Sequence, residues 1–215
     1  MDATRSGALV IACGALAHEI AALRRLNGWE ALDVQCLPPE LHNYPEQIPG
    51  RVREAIEAAQ GRYAKIFIAY ADCGTGGRLD ALLAPLGIER LPGAHCYEFY
   101  ATAQRFSELA GQEPGTFYLT DFLVRHFERL VAQTLGIDRH PQLIGEYFRN
   151  YRRVVYLVQD PGNSDIEHAR AIAARLGLGF EVCTVGYGQM ESSLREVAAP
   201  AVAAAPAEVR VAWPR

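Results

Sequence analysis

Residues 66–77 read IFIAYADCGTGG, and this stretch decides the class of fold that the sequence predicts. Its first half is an apolar run typical of a strand that is buried on both faces. Its second half brings an aspartate and a cysteine into a loop with three glycines, and a helical pattern of leucines follows from residue 79. The segment therefore has the strand–loop–helix order of an α/β protein.

The same order recurs along the chain. Strands are predicted at residues 8–12, 31–37, 65–71, 88–91, 116–119, 153–159 and 180–185, with helical patterns between most of them. Most of these strands are apolar on both faces, which indicates a mainly parallel sheet flanked by helices on both faces. Ser164 and Glu167 are predicted to form a capping box at the start of the helix between the strands at 153–159 and 180–185. We predict one domain over residues 1–197 and an alanine- and proline-rich tail over residues 198–215.

Composition restricts the classes of function. The chain has 215 residues, half of them hydrophobic, and a formal net charge of −4. Nucleic-acid binding is disfavoured, because a surface that follows phosphates needs a clustered basic excess. The sequence has no apolar run of the roughly 20 residues that a membrane helix needs, and its first residues do not resemble a signal peptide. We expect a cytoplasmic protein that is not bound to a membrane and whose five cysteines are reduced.

Three cysteines follow predicted strands or lie in the adjacent loops, namely Cys13, Cys73 and Cys96. In open parallel sheets, ligands bind at the carboxyl ends of the strands. We therefore expect three separate connections to bring these thiols to one edge of the sheet. Cys36 and Cys183 lie inside predicted strands, where a cysteine is expected to pack as a small hydrophobic residue.

A histidine from another connection completes a possible metal site. His42 lies in the loop after the second predicted strand and is expected at the same edge as a fourth ligand or a close neighbour. Three thiolates and one imidazole form a closed zinc site, which we favour, whereas three thiolates with an open corner suit a [4Fe–4S] cluster. His95 and Cys96 are adjacent in an extended loop, so we do not expect both to bind one ion.

Two alternatives without a metal remain open for the glycine-rich loop. Its backbone N–H groups could bind the phosphate of a cofactor, through Gly74, Thr75, Gly76 and Gly77. However, the loop has neither the GxGxxG spacing nor the lysine of a P-loop. Alternatively, Cys73 is a metal-free nucleophile whose pKa is lowered by the following helix N-terminus. A partner imidazole would then come from His42 or His95.

Carboxylates beside the cysteines are candidates for acid–base chemistry. Glu98 follows Cys96 by two residues, and Asp72 directly precedes Cys73. Glu98 is the better candidate, either as an acid or base or as support for a metal ligand from outside the coordination shell, and Asp72 is a second candidate for a catalytic role.

Several longer motifs resemble a family of short prokaryotic proteins of unknown function. They are CGALAHEI at 13–20, LPPELHNYPEQI at 37–48, YADCGTGGRLD at 70–80, HCYEFY at 95–100 and FYLTDFLVRHF at 117–127. The resemblance continues through YRRVVYLVQ at 151–159 to about residue 195, and these motifs contain Cys13, His42, Cys73 and Cys96.

The resemblance implies a context for the protein. Members of the family are often encoded beside corrinoid-dependent methyltransferases and corrinoid-reactivating proteins, which implies a role in methyl or one-carbon metabolism. The expected role is an enzyme or accessory that acts on a small molecule or on a corrinoid protein or methyltransferase. An alternative is a non-catalytic partner or chaperone of such a methyltransferase. At the level of architecture alone, quinolinate synthases and diphthamide-synthesis enzymes similarly gather three distant cysteines around a [4Fe–4S] cluster.

Overall fold

A computed structural model describes residues 5–199, which form an α/β protein with two parallel sheets. The first sheet has the strand order β2-β1-β3-β4 and the second has the order β5-β6-β7. The strands are β1 (Arg5–Cys13), β2 (Leu32–Leu37), β3 (Tyr63–Ala69), β4 (Glu89–Arg90), β5 (Thr116–Thr120), β6 (Arg153–Val158) and β7 (Gly179–Thr184). Within the described residues all strand pairs are parallel, which confirms the predicted α/β class and pairing.

Helices connect and flank these strands. The α-helices of residues 5–199 are α1 (Ala17–Asn27), α2 (Ile48–Ala59), α3 (Arg78–Leu83), α4 (Cys96–Ala101), α5 (Ala103–Gln112), α6 (Asp121–Arg125), α7 (Gln133–Leu135), α8 (Ile144–Tyr147), α9 (Ile166–Leu176) and α10 (Met190–Ala198). In this part of the chain no helix has the length and apolarity that a bilayer crossing requires. Residues 200–215 of the predicted tail lie outside the described residues.

The strands are divided between two sheets, whereas the sequence led us to expect one. The first sheet ends at β4, which pairs with β3 through only two residue pairs. The N–H of Leu91 still donates to the carbonyl of Ile68 at 3.0 Å. Pro92 follows, and because proline has no backbone N–H it cannot extend the ladder. The next strand, β5, begins the second sheet.

The chain forms two compact units. Of the described residues, unit 1 contains 5–95 and 190–199, and unit 2 contains 96–189. Compactness alone does not define a folding domain, so the single domain over residues 1–197 stays a prediction.

In unit 1, β1 is the inner strand that lies between β2 and β3. Its residues Val10, Ile11 and Ala12 have no exposed surface, and α2 and α10 both pack against this strand. Full burial of a valine or isoleucine side chain contributes about 1.5–3 kcal/mol, and that of an alanine less. The core fixes where β1, β2 and β3 end, and the loops after those ends carry Cys13, His42 and Cys73.

In unit 2, a buried carboxylate joins the ends of β5 and β6. Asp121 accepts a hydrogen bond from the Tyr156 hydroxyl at 2.6 Å and from the N–H groups of Gln159 and Asp160 at 3.1 and 2.8 Å. Burial, together with the hydrogen bond to Asp121, raises the pKa of Tyr156 above its usual range. The buried acid is therefore satisfied by donors on β6 and on the residues that follow this strand, as a stable polar core requires.

The predicted capping box before α9 is wrong by one residue. Asp165, and not Ser164, is the N-cap of the helix, and its Oδ1 accepts from the N–H of His168 at 2.9 Å. The hydroxyl of Ser164 donates to the carbonyl of Pro161 at 3.3 Å. Both residue types are good caps, so local sequence did not choose between them.

Candidate metal centre

The loop after β3 has an unusual backbone at Cys73. This residue has a φ of 49°, in the left-handed region that residues other than glycine seldom adopt. Gly74, Gly76 and Gly77 also have positive φ, at 85°, 62° and 79°. Glycine adopts this region without the steric cost of a Cβ atom, so the glycines allow the chain to turn immediately after the cysteine and begin α3.

Asp72 organises this loop. Its carboxylate accepts hydrogen bonds from the N–H of Gly77 at 2.9 Å, the hydroxyl of Thr75 at 2.7 Å and the N–H of Gly76 at 3.1 Å. These bonds, led by that of Gly77 and then that of Thr75, lower the pKa of Asp72 to about 2. A carboxylate with this pKa is a weak base near neutral pH. The contacts therefore support a structural role for Asp72, and its predicted catalytic role stays a prediction.

The same contacts bear on the predicted phosphate-binding residues Gly74, Thr75, Gly76 and Gly77. Two of the N–H groups that a phosphate would need already donate to the carboxylate of Asp72. The hydroxyl of Thr75 donates to the same group, and this residue has no exposed surface. A bound anion would have to displace an internal carboxylate, so the geometry favours the other uses of the loop.

A second segment is tied to this loop by its backbone. The N–H of Asp72 donates to the carbonyl of Gly93 at 3.1 Å, and that of Cys73 donates to the carbonyl of Ala94 at 2.9 Å. Cys96 follows Ala94 by two residues. The position of Cys96 near Cys73 therefore follows from hydrogen bonds inside unit 1 and two further residues of chain.

Arg90 holds the start of that segment. Its guanidinium donates to both carboxylate oxygens of Asp80, at 2.6 and 2.7 Å, and to the carbonyls of Leu91 and Gly93, at 2.6 and 3.3 Å. Paired donors in a planar fork give an arginine–carboxylate bond a defined direction. Arg90 thus links α3 to the segment that leads to Cys96. The sequence analysis missed this residue, since a single arginine in IERLPG carries no motif.

His42 lies on the turn that follows β2. The turn is a 3₁₀ helix over Pro39–Asn43, and Nδ1 of His42 lies 3.2 Å from the carbonyl of Pro39. The imidazole stacks on the ring of Tyr70, with centroids 6.0 Å apart and planes 14° apart. A carbonyl can only accept, so a hydrogen bond to Pro39 places the proton on Nδ1 and leaves the lone pair of Nε2 for a metal.

Cys13 ends β1 directly beside His42. The residue has no exposed surface, and its Sγ accepts a hydrogen bond from the N–H of Ala15 at 3.3 Å. Its Sγ also lies 3.7 Å from Nδ1 of His42. The next residue, Gly14, packs so closely that a Cβ atom there would lie 3.0 Å from both the Leu37 carbonyl oxygen and Cδ of Pro39. The turns that carry Cys13 and His42 therefore touch.

Three of the four predicted ligands form a compact group. One ligand atom each of His42, Cys73 and Cys96 can be chosen so that all three lie within 4.8 Å of one another. A tetrahedral zinc ion with bonds of about 2.3 Å to sulfur separates two thiolates by about 3.7 Å, so small side-chain movements would complete such a site. Cys13 contacts His42 but does not belong to this group.

Comparison with known families places the chain in one of them. Residues 36–194 match the family described as protein of unknown function (DUF1638). The chain belongs to this family. No curated protein and no solved structure matches it. The DUF1638 match includes His42, Cys73 and Cys96 and begins after Cys13.

Among the described residues, the other predicted residues of the DUF1638 domain do not belong to this group. Glu98 is half-buried in the first turn of α4, and His95 is exposed immediately before that helix. Cys36 lies on β2 and is exposed as a residue. The pKa of its thiol is raised, mainly by partial burial of the sulfur and secondly by the charge of the nearby Cys13. Cys183 is half-buried on β7. All five cysteines lie within the described residues, and no disulfide joins any of them.

Proposed function

We propose that this protein binds one transition-metal ion through His42, Cys73 and Cys96. The observation that supports this proposal is the convergence of an imidazole and two thiols to within 4.8 Å from three different connections of the chain. Two thiols and one imidazole are a donor set that suits zinc. Because the group contains two thiols and not three, it favours zinc over a [4Fe–4S] cluster.

The backbone of the site is suited to metal binding before a metal arrives. Asp72 fixes the loop that carries Cys73, and Arg90 fixes the segment that leads to Cys96. The carbonyl of Pro39 orients the imidazole of His42. Such outer contacts set the direction of each ligand and typically alter metal affinity by about 10- to 100-fold.

The resemblance to proteins encoded beside corrinoid systems suggests how the metal is used. We propose an enzyme or accessory of methyl transfer whose partner is a corrinoid protein or its methyltransferase. A bound zinc ion would keep a coordinated thiol in its thiolate form near neutral pH. The chain's own residues would hold the ion, orient the imidazole and shield Cys73, which is only 8 % exposed.

A metal-free nucleophile is a second candidate, and the backbone of Cys73 favours it. Strained residues with positive φ at a strand–loop–helix junction occur at active sites, where they present a nucleophile. The imidazole of His42 would be the base, since its ligand atom lies within 4.8 Å of the thiol. This candidate needs one reactive thiol and no metal.

Metal analysis of anaerobically purified protein tests the proposal. We expect about one zinc ion per chain, a loss of that ion in Cys73→Ser, and full retention in the matched control Cys36→Ser. Alkylation with iodoacetamide separates the two candidates. For a metal centre, added zinc protects Cys73 and Cys96 together, whereas for a nucleophile Cys73 alone reacts rapidly with or without zinc. Absence of metal in the wild type would contradict the proposal.

A further inference from the structure

The role of Cys13 decides whether the proposed centre is closed or open. Four protein ligands close a structural zinc site, whereas three leave a position for an external ligand. Cys13 is the only further cysteine of the described residues for which a contact with the ligand group is found, through His42. Its contacts therefore determine the class of the site.

The contacts of Cys13 are with His42 and with its own turn, and Cys13 does not belong to the ligand group. Its Sγ faces Nδ1 of the imidazole at 3.7 Å and accepts the N–H of Ala15 at 3.3 Å. Nδ1 also faces the carbonyl of Pro39, so it is the nitrogen turned away from an ion on Nε2. The close packing of Gly14 against the Leu37–Pro39 turn holds Cys13 in this place.

The other side of the site is accessible. His42 is exposed and Cys96 is half-buried, whereas Cys73 and Cys13 are buried. A ligand from solution can therefore approach from the side of His42 and Cys96. Soft thiolate ligands suit zinc, so a thiol is a suitable external ligand for an ion that two cysteines and an imidazole already hold.

We infer that Cys13 is a positioning residue that orients His42, and that the fourth metal position accepts an external thiolate. This inference rests on the proposed metal centre. It assigns to the site a substrate class, a thiol-containing molecule, that binds through sulfur. The thiol loses its proton to solvent as its sulfur binds the metal, and the water that would occupy the fourth position leaves. No covalent bond within the thiol molecule breaks apart from that S–H bond.

Cobalt(II) substitution tests the inference, because the intensity of the sulfur-to-cobalt charge-transfer band in the near ultraviolet increases with the number of bound thiolates. Cobalt stoichiometry is measured first. If the wild type binds no cobalt or zinc, the proposed centre itself fails, and this result is distinct from every outcome below.

Cys73→Ser and Cys96→Ser bind metal more weakly, so they are loaded with excess cobalt. Once loaded, each should have about half of the band of the wild type, as a set of two thiolates requires. Cys13→Ser should keep the band at metal saturation. Cys13→Ala should lower metal affinity by about 10- to 100-fold, and Cys13→Ser should restore part of it, since a hydroxyl can also contact Nδ1. Cys36→Ser is the control and should match the wild type.

Addition of 2-mercaptoethanol to the cobalt protein tests the open position. We expect the band to rise by about half of its original intensity as a third thiolate binds, without loss of cobalt. Loss of about one third of the band in each of Cys13→Ser, Cys73→Ser and Cys96→Ser would overturn the inference, because Cys13 would then be a ligand. A band that does not respond to the added thiol at metal saturation would overturn the open position.

Discussion

At the scale of single residues, Asp72 shows how a group that looks catalytic can be structural. The carboxylate stands beside a cysteine, which suggested proton transfer. In the structure it accepts three hydrogen bonds from its own loop. The carboxylate of Asp72 accepts from backbone N–H groups, as the side chain of a helix N-cap does. These bonds hold the loop that carries Cys73.

This role predicts a pH dependence. The folded pKa of Asp72 is about 2, below the value near 3.9 of an unfolded aspartate. Its stabilising contribution is therefore complete above about pH 5 and disappears as the pH falls through about 2. We expect Asp72→Asn to be less stable than the wild type by about 1 kcal/mol at pH 6. Urea unfolding at pH 6, 4 and 3 should show the difference shrinking, and a constant difference would contradict this role.

Gly14 is a second residue whose role depends on packing. A Cβ atom at this position would meet the Leu37 carbonyl and Pro39 at 3.0 Å. We expect Gly14→Ala to lower the free energy of unfolding by about 1–3 kcal/mol through overpacking and to weaken zinc binding. Gly50→Ala is the matched control, since nothing lies within 4 Å of its Cβ position in α2. The control should be neutral or up to about 1 kcal/mol more stable, as measured by urea unfolding and zinc titration.

At the scale of elements, the short strand β4 is held by a side chain as much as by its ladder. Arg90 joins this strand to α3 through Asp80 and to the carbonyls of Leu91 and Gly93. The side chain of Arg90 is only 17 % exposed, which distinguishes the pair from an ordinary surface ion pair. The element and the segment that leads to Cys96 therefore depend on one guanidinium.

This dependence predicts an effect on both stability and metal binding. We expect Arg90→Gln to lower the free energy of unfolding by about 1–2 kcal/mol and to weaken zinc binding. The control is Arg51→Gln, which removes an exposed ion pair with Glu54 in α2 and should change stability by less than about 0.5 kcal/mol. Equal zinc affinity in the two variants would show that Arg90 does not position the ligands.

At the scale of the whole molecule, the proposed metal centre should link metal concentration to stability. A metal that binds only the folded chain adds about 1.4 kcal/mol to the free energy of unfolding for each tenfold increase in free zinc above the dissociation constant. We expect this dependence in thermal or urea unfolding of the wild type, and removal of zinc with EDTA should abolish it. At the same zinc concentrations Cys73→Ser should show little of this dependence, because its dissociation constant is higher, whereas Cys36→Ser should show all of it. A wild type that is insensitive to zinc would contradict the proposed centre.

The sequence by itself determined the α/β class, the parallel pairing and the approximate place of each strand. Apolar runs such as residues 66–69 and 154–158 are buried on both faces or nearly so. A strand buried on both faces needs apolar residues throughout, so the sequence alone predicts it. The cap of α6 was also predictable, because Thr120 accepts from the N–H of Leu123 in the usual way. These features depend on residues that are close in the chain.

Only the tertiary structure decided how the strands divide into two sheets and which of the candidate metal ligands lie close together. Contacts between residues far apart, such as Cys13 with His42 and Cys73 with Ala94, depend on strand order and on loop paths that no local pattern encodes. The glycine-rich stretch 74–77 could equally have bound a phosphate, until the carboxylate of Asp72 was found on its N–H groups. The sequence named the thiols and the imidazole, whereas the fold placed His42, Cys73 and Cys96 together and turned Cys13 toward the imidazole.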